Sequence, residues 1–299
     1  MSTILIAGGT GLIGKRLSAM LAQQGHTVYH LSRSASPDAT YKTYQWNPTK
    51  KEIDKAALSS ADYVINLAGA GIADKRWTDK RKKIIINSRV NGNELLAETL
   101  PQFPNIKAYV SASAIGYYGD RGTTVLSEKD TPGKEGFLSE SVVAWEKSIG
   151  LVAATGIRTV VVRIGIVLST EGGALEKLLL PFKAWLGVYF GDGQQVYSWI
   201  HQDDLVRIFI QAIKEEKMSG VYNGVAPNPV SNKVFTKITA DVLGKSALIV
   251  PSPAFAMRLA MGEMADVVLT GSNVSSKKIE ATGFEFKFPT LDVALKELL

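Results

Sequence analysis

The chain of 299 residues contains no cysteine. This absence excludes disulfide bonds, thiolate metal ligands and cysteine nucleophiles together. Histidine is also scarce, because His26, His30 and His201 are the only three, and they lie far apart without the spacing of metal ligands. We therefore expect no metal site.

Long apolar runs are missing as well, and no stretch approaches the length of a membrane helix. The first apolar run begins at Ile4, which leaves no room for a cleavable signal ahead of the fold. Hydrophobic residues make up 45% of the chain and charged residues 21%, which is ordinary for a globular protein. These features predict a cytoplasmic protein without membrane contact and with a sizeable core.

The formal net charge is +6, and much of the excess lies in one run between residues 75 and 83. Its members are Lys75, Arg76, Lys80, Arg81, Lys82 and Lys83. Such a run can indicate nucleic-acid binding, but no recognition motif accompanies it. A solvated helix face, or a loop near an anionic cofactor, is the better interpretation, and we expect no nucleic-acid partner.

Residues 4–14 have the pattern of a nucleotide-binding turn. The apolar residues 4–7 predict a strand buried on both faces, and Gly8, Gly11 and Gly14 then follow at intervals of three. Residues 15–24 read as a helix with one apolar side. In this arrangement glycines let the backbone approach a pyrophosphate, and the helix N-terminus offers free N–H groups. The alternative is a tight turn without a ligand.

The end of the next predicted strand, residues 27–31, bears on the choice of cofactor. An NAD site usually places a carboxylate about 20 residues past the glycines, whereas an arginine there accommodates the 2′-phosphate of NADP. This chain has Ser32 and Arg33, with no acid before Asp38. The sequence therefore favours NADP over NAD. The alternative is that Arg33 is an ordinary surface charge.

Predicted strands and helices alternate regularly to about residue 167, which indicates an α/β protein with a Rossmann-type, doubly wound parallel sheet. The later strands are 41–46, 63–66, 108–111 and 158–165, and the helices are 53–59, 80–99 and 138–154. Beyond residue 167 we predict a helix 175–185, a glycine-rich turn 187–193, a helix 205–213, a short strand 220–224 and a terminal helix 291–298.

This change of pattern indicates that the chain has two structural parts. We assign residues 1–167 to an NADP-binding domain whose core is completed by about 200–225. Residues 168–199 and 226–299 would form a smaller α+β lobe on the substrate side.

Three hydroxyl groups follow strand 108–111 at the edge where nicotinamide is expected, those of Ser113, Tyr117 and Tyr118. They are the candidate catalytic groups, with aromatic packing as the alternative for the two tyrosines. His201 and Asp204 could form a general base, but this segment is more typical of a turn whose aspartates cap the following helix.

Several motifs together resemble one family. They are the glycine turn, Asn66-Leu67-Ala68-Gly69, Ser111 to Gly119 ending in Gly-Tyr-Tyr-Gly, Trp145-Glu146, Arg163, Ser198-Trp-Ile-His201-Gln-Asp-Asp204, Asn223-Gly-Val-Ala-Pro227, Gly262-Glu-Met264 and Gly283-Phe-Glu-Phe286. The whole chain is similar to the extended short-chain dehydrogenases/reductases. More narrowly, it resembles the atypical NAD(P)-dependent epimerase family, loosely called sugar-nucleotide epimerases, with its small C-terminal domain.

The resemblance implies NADP (NADPH) as cofactor, a small-molecule substrate between the two parts of the chain, and leaves a homodimer open. It assigns the cofactor contacts as follows: Gly8, Thr10, Gly11, Leu12 and Ile13 at the phosphates, Ser32 and Arg33 at the 2′-phosphate, Leu67, Ala68 and Gly69 along the adenosine side, and Arg89 and Val167 at other positions. The polar residues around Arg89 have a second interpretation, ordinary helix polarity.

The chain departs from this family at the catalytic pair. Short-chain dehydrogenases use Tyr-x-x-x-Lys, in which the lysine lowers a phenol pKa from about 10 so that the tyrosine can exchange a proton. Counting back from Glu146 puts Leu138 and Val142 at these positions, and Ala114 falls at the serine position beside Ser113. We expect an NADP(H)-binding oxidoreductase or epimerase-like protein for a small polar substrate. The alternative is a protein that senses NADP(H) without turnover.

Overall fold

The computed structural model describes residues 1–34 and 39–299. Its strands are β1 (Thr3–Ala7), β2 (Thr27–Ser32), β3 (Thr43–Asn47), β4 (Glu52–Ile53), β5 (Tyr63–Asn66), β6 (Ala108–Ala114), β7 (Val125–Leu126), β8 (Arg158–Ile164), β9 (Ile166–Leu168), β10 (Leu186–Phe190), β11 (Val196–Tyr197), β12 (Trp199–His201), β13 (Gly220–Gly224), β14 (Val230–Ser231), β15 (Leu248–Ser252) and β16 (Asn273–Val274). Its α-helices are α1 (Leu12–Gln23), α2 (Lys55–Ser59), α3 (Asp79–Thr99), α4 (Phe137–Ala153), α5 (Ala174–Leu179), α6 (Gln202–Lys214), α7 (Asn232–Val242), α8 (Ala254–Met261), α9 (Asp266–Leu269), α10 (Lys277–Glu280) and α11 (Leu291–Leu298).

The main sheet has the strand order β13-β8-β6-β5-β1-β2-β3-β4. All neighbours are parallel except β3 and β4, which form an antiparallel edge. The chain first winds outward from β1 through β2, and later returns to the other side of β1 with β5. This reversal is the switch point at which doubly wound sheets bind ligands. The predicted Rossmann-type fold is confirmed.

Burial explains why β1 lacks polar alternation. Ile4, Leu5, Ile6 and Ala7 have no solvent exposure. A strand in the middle of a parallel sheet is covered on both faces, so apolar residues are favoured at every position. The predicted short strand 220–224 is also present, as β13, and it forms the outer edge of the sheet beside β8.

A second apolar core lies beyond the main sheet. It combines Trp199, Phe235 and Leu291 with neighbouring side chains from α5, α7 and α11. Residues far apart in the sequence therefore form this part of the fold. Across residues 1–34 and 39–299, no helix is both long and apolar enough to cross a membrane.

Two predictions for the segment after residue 167 are wrong. The predicted turn 187–193 is largely strand β10, which pairs in parallel with β15. Gly187 packs closely there, because a Cβ on it would lie 2.4 Å from the terminal methyl group of Ile249, which would have to move. The predicted helix 175–185 is α5 followed by a 3-10 turn, Leu180–Ala184, with Pro181 near its start. Proline removes a donor that an α-helix would need.

Helix α6 starts earlier than predicted, and its cap is not an aspartate. His201 is the N-cap residue, and its Nδ1 accepts the Asp203 N–H at 3.1 Å. Asp203 instead binds Arg16 of α1 through two contacts of 2.7 Å. Asp204 accepts the backbone N–H groups of Lys287 and Phe288 at 3.0 and 2.9 Å. The start of α6 thus joins α1 to the C-terminal segment.

We predict that Asp204→Asn lowers the free energy of unfolding by about 3 kcal/mol, because the amide NH2 group would face one of the two backbone N–H donors in a buried site and the negative charge would be lost. Arg207 also donates to Asp204, at 2.7 Å, and would lose a charged partner. Asp203→Asn breaks a partly exposed pair and should cost about 1 kcal/mol or less. Urea unfolding of both variants tests this, and equal losses would contradict it.

Candidate functional site

The turn between β1 and α1 requires glycine at several positions. Gly8 has a φ of +82°, and its carbonyl accepts the Gly11 N–H at 3.1 Å. A Cβ on Gly14 would lie 2.2 Å from that carbonyl oxygen. A Cβ on Gly8 would lie 2.9 Å from the Ala68 nitrogen, so the turn also touches the segment after β5. Helix α1 can approach β1 this closely only because Gly8 and Gly14 have no side chains.

The N-terminus of α1 is open to an anion. Gly11 is the N-cap residue and provides no side-chain cap, and the first turn contains no acid. Other helices are capped by side chains, such as α3 by Thr78 and α7 by Ser231. The first N–H groups of α1 therefore have no side-chain acceptor, and the helix dipole favours negative charge there. The turn fits a dinucleotide pyrophosphate.

The proposed 2′-phosphate residues lie at the end of the neighbouring strand. Ser32 is the last residue of β2, which pairs with β1 up to the Ala7–Leu31 position. Arg33 is exposed and forms no ion pair with any described residue. Asp38, the first acid after them, lies outside the described residues. The other turn residues on α1, Leu12 and Ile13, are half-buried.

Helix α3 holds the loop that follows β5. The Ser88 hydroxyl accepts the Ala70 N–H at 2.9 Å, and Arg89 Nη1 donates to the Ala70 carbonyl at 3.0 Å. A Cβ on Gly69 would lie 2.9 Å from the Arg89 guanidinium carbon. Asn87, by contrast, is exposed. Arg89 and Gly69 therefore lie together beside the carboxyl end of β5.

A cavity of about 220 Å³ lies between the ends of β6 and β8, helix α4 and the C-terminal segment. Ala114, Leu138, Val142 and Val267 are among the residues that line it. Of the described residues that border the cavity, Arg89 alone carries a charge. The positions expected to hold a serine, a tyrosine and a lysine therefore present apolar groups to this cavity.

Hydroxyl groups around the cavity are directed at the backbone. Ser141 donates to the Leu138 carbonyl at 2.8 Å, and Ser198 donates to the Ser272 carbonyl at 2.6 Å. Tyr197 donates to the Val268 carbonyl at 2.9 Å, and burial raises the pKa of its phenol. None of these three groups is suited to accept a proton near neutral pH.

The candidate residues Ser113 and Tyr118 belong to a buried network that does not border the cavity. Ser113 Oγ donates to Glu146 at 2.6 Å, and Glu146 accepts two contacts from Arg163, at 2.8 and 2.7 Å. Arg163 Nη1 donates to the Tyr118 hydroxyl at 2.9 Å, which in turn donates to Asn223 at 2.7 Å. The network joins β6, α4, β8 and β13.

Electrostatics in this network oppose proton exchange by Tyr118. Burial raises the pKa of its phenol, although Arg163 opposes the shift. Burial alone would lower the pKa of Arg163, but the hydrogen bonds and charge of Glu146 outweigh it and raise that pKa. The Tyr117 ring packs on the Arg163 guanidinium at 3.5 Å and edge-on against Tyr118 at 5.5 Å. Both phenols therefore take part in packing.

Glu146 and Arg163 stand in the sequence as parts of separate motifs, and their pairing was not predicted. A signal was available, because an arginine inside the apolar, β-branched strand β8 needs a buried partner.

Part of the basic run also has partners: Lys82 pairs with Glu263, and Arg81 Nη2 donates to the Gly71 carbonyl at 2.5 Å. Val167 lies in β9, next to Ile200 of β12.

Two family models match the chain. The model described as the NAD dependent epimerase/dehydratase family matches residues 4–223. A second model, Domain of unknown function (DUF1731), matches residues 252–298. Together they cover the glycine turn, the main sheet and most of the C-terminal segment.

Individual relatives support these matches. Epimerase family protein YfhF of Bacillus subtilis is 37% identical over 299 residues, covering 99% of this chain and 97% of that protein. The crystal structure of human epimerase family protein SDR39U1 with NADPH is 34% identical, has a TM-score of 0.88, and covers 99% of this chain and 98% of that chain. A nucleoside-diphosphate sugar epimerase from Corynebacterium glutamicum is 33% identical with a TM-score of 0.81, and the match covers all of this chain but 58% of that one.

We predict that Gly14→Ala lowers the free energy of unfolding by about 2 kcal/mol, because the added methyl group has no space beside the Gly8 carbonyl. Gly150→Ala in α4 is the matched control. No atom lies within 4 Å of a Cβ built there, so this change should stabilise the helix by up to about 1 kcal/mol. Chemical denaturation distinguishes the two, and a Gly14→Ala variant as stable as the parent would refute the prediction.

For the buried network, we predict that Glu146→Gln costs about 3 kcal/mol or more, since Arg163 is only 3% exposed and would lose its counter-ion. Ser113→Ala removes one hydrogen bond and should cost about 1 kcal/mol. Guanidinium unfolding curves measure both effects. Losses of similar size would show that the ion pair is not what holds these elements together.

Proposed function

Because the chain belongs to the NAD dependent epimerase/dehydratase family, we propose that it binds NADP(H) and acts as an oxidoreductase or epimerase-like enzyme on a small polar substrate. The observation that carries this proposal is the uncapped glycine turn with Ser32 and Arg33 at the end of the adjacent strand. The related human protein was crystallised with NADPH, which supports the choice of cofactor.

Most of the residues proposed to hold the cofactor follow the carboxyl ends of strands in the main sheet. They are Gly8, Thr10, Gly11, Leu12 and Ile13 at the phosphates, Ser32 and Arg33 at the 2′-phosphate, Leu67, Ala68 and Gly69 on the adenosine side, and Arg89 and Val167 near the cavity. The carboxyl ends of β1, β2 and β5 bring the first three groups together. When bound, the cofactor would supply the hydride chemistry.

The chain's own contribution is to position and shield the reacting groups. We assign Leu138 and Val142 to the places where short-chain dehydrogenases carry tyrosine and lysine, and both side chains border the cavity. Apolar groups there exclude water but cannot move a proton. Ser113 and Tyr118 already have buried partners. The third candidate hydroxyl, that of Tyr117, belongs to a ring that packs on Arg163 and does not border the cavity either.

The same apolar lining favours a second function, which is binding of NADP(H) without turnover. Absorbance at 340 nm separates the two functions when NADPH is incubated with the protein and a panel of aldehydes and ketones. Protein-dependent oxidation with any panel member supports the enzyme. Tight NADPH binding with no oxidation across the panel argues against an oxidoreductase for these carbonyls and is the result expected of the sensor.

The proposed division of the chain stays as predicted, with a cofactor domain of residues 1–167 completed by about 200–225 and a substrate-side lobe of 168–199 and 226–299. The position of β13 in the main sheet supports that completion. A cytoplasmic location and a homodimer also remain predictions.

We predict that Arg33→Ala weakens NADPH binding about tenfold or more, because a charged hydrogen bond to the 2′-phosphate is lost, while NADH binding changes little. Arg258→Ala is the control, since it removes the same charge from an exposed site on α8. Titrations followed by NADPH and NADH fluorescence measure the affinities. An equal loss for both nucleotides would reject the assignment of Arg33.

A further inference from the structure

The cavity beside the proposed cofactor site is lined mostly by apolar side chains. They include Ile72, Ile85, Leu138, Val142, Val196 and Val267. Arg89 is the one charged residue among the described residues that border the cavity, and we have assigned it to the cofactor. No cation of the described lining therefore remains to pair with the diphosphate of a nucleotide sugar.

The hydroxyl groups that border this cavity have already used their protons. They belong to Ser141, Tyr197, Ser198, Thr270 and Ser272. All five donate to backbone carbonyls, at distances of 2.6 to 2.9 Å. A hydroxyl has a single proton to donate. A sugar that entered the cavity would find no free hydroxyl donor, and its oxygens would lose the hydrogen bonds that water provides.

Trp145 supplies the remaining side-chain donor on the cavity. Its Nε1–H makes no hydrogen bond to any described residue, yet the atom is not among the fully buried atoms without a partner. The nitrogen is therefore accessible to a ligand, and an indole N–H can only donate. The Arg89 guanidinium packs over the same ring at 4.8 Å and helps to hold it in place. The lining thus combines one uncommitted side-chain donor with apolar surroundings.

We propose that the cavity takes a small, uncharged ring ketone or aldehyde. Its carbonyl oxygen accepts the Trp145 N–H, and its apolar ring packs against Leu138, Val142 and Val267. This proposal rests on the proposed function, because hydride transfer from the cofactor requires an acceptor such as a carbonyl carbon. It narrows the small polar substrate of that function to a molecule with a single polar group at the cavity.

The volume of the cavity agrees with this substrate class. Sites for drug-sized ligands begin at about 300 Å³, whereas an apolar cavity of about 150 Å³ holds benzene. At about 220 Å³, the cavity has room for one ring and its carbonyl group. Any part of the cofactor that enters the cavity would reduce this space further, which disfavours larger molecules.

Calorimetric titration of the NADP⁺-loaded chain at pH 7 tests the substrate class. The oxidised cofactor cannot reduce a ketone, so binding is measured without turnover. The probes are cyclohexanone, cycloheptanone and acetophenone, and they are compared with glucose and UDP-glucose. We expect at least one ketone to bind about tenfold or more tightly than either glucose or UDP-glucose, because the sugars would leave polar groups unpaired.

A variant that fills the cavity tests where the ketone binds. Val267→Phe should weaken ketone binding about tenfold or more, because the larger side chain takes the space of the ring. Val293→Phe is the matched control, since Val293 is exposed on α11 and does not border the cavity, and it should leave the affinity unchanged. Thermal unfolding checks that each variant is folded.

A milder variant tests the hydrogen bond and does not depend on the fate of Val267→Phe. Trp145→Phe keeps an aromatic ring but removes the N–H, and should weaken ketone binding about threefold or more. Trp185→Phe makes the same change at an exposed position that does not border the cavity, and should have no effect. Saturating NADP⁺ keeps the cofactor site filled in every variant.

Three results would overturn the proposal. The first is that no ketone binds to the NADP⁺-loaded parent chain. The second is that glucose or UDP-glucose binds as tightly as the ketones. The third is ketone binding that survives in every folded variant of Val267 and Trp145. A loss in Val267→Phe alone would keep the substrate class and overturn the role of the Trp145 N–H. If the parent chain binds neither NADP⁺ nor NADPH, the proposed function fails instead.

Discussion

The close approach of α1 to the end of β1 is the constraint on which the rest of the structure depends. Because Gly14 presses against the Gly8 carbonyl, the helix begins directly above the sheet edge with its first N–H groups uncapped. Arg16, further along the same helix, then reaches Asp203 at the start of α6. Asp204, the next residue, holds the backbone near Phe288. The turn that fits a phosphate therefore also helps to fix the position of the C-terminal segment against the sheet.

The second constraint is the placement of the buried polar side chains. Ser113, Tyr118, Glu146 and Arg163 satisfy one another inside the protein, away from the cavity. The cavity keeps an apolar lining with Arg89 as its charged group among the described residues. An arrangement of this kind can place a ligand against a cofactor and exclude water. It offers little for moving protons, which separates the proposed cofactor binding from the usual catalysis of short-chain dehydrogenases.

Local features of the sequence predict the first part of the fold well. The buried strand β1, the spaced glycines and the apolar side of α1 each follow from neighbouring residues. Gly187 suggests a turn, but it lies in a strand and packs against Ile249, a residue 62 positions away whose contact no local pattern reveals. The N-cap role of His201 is not predicted for a similar reason, because Asp203 and Asp204 bind residues that are far away in the sequence. The cavity likewise depends on contacts between α4 and the C-terminal segment, which become visible only in three dimensions.

The most direct test of the central claim is a fluorescence titration of the unmodified chain with NADPH and NADH in the same buffer. Binding through the open α1 N-terminus and Arg33 predicts saturable binding of NADPH with an affinity at least about tenfold higher than that for NADH. Saturable NADPH binding with no such preference would contradict the assignment of the strand end to the 2′-phosphate. Failure of both nucleotides to bind would contradict the account of the glycine turn itself.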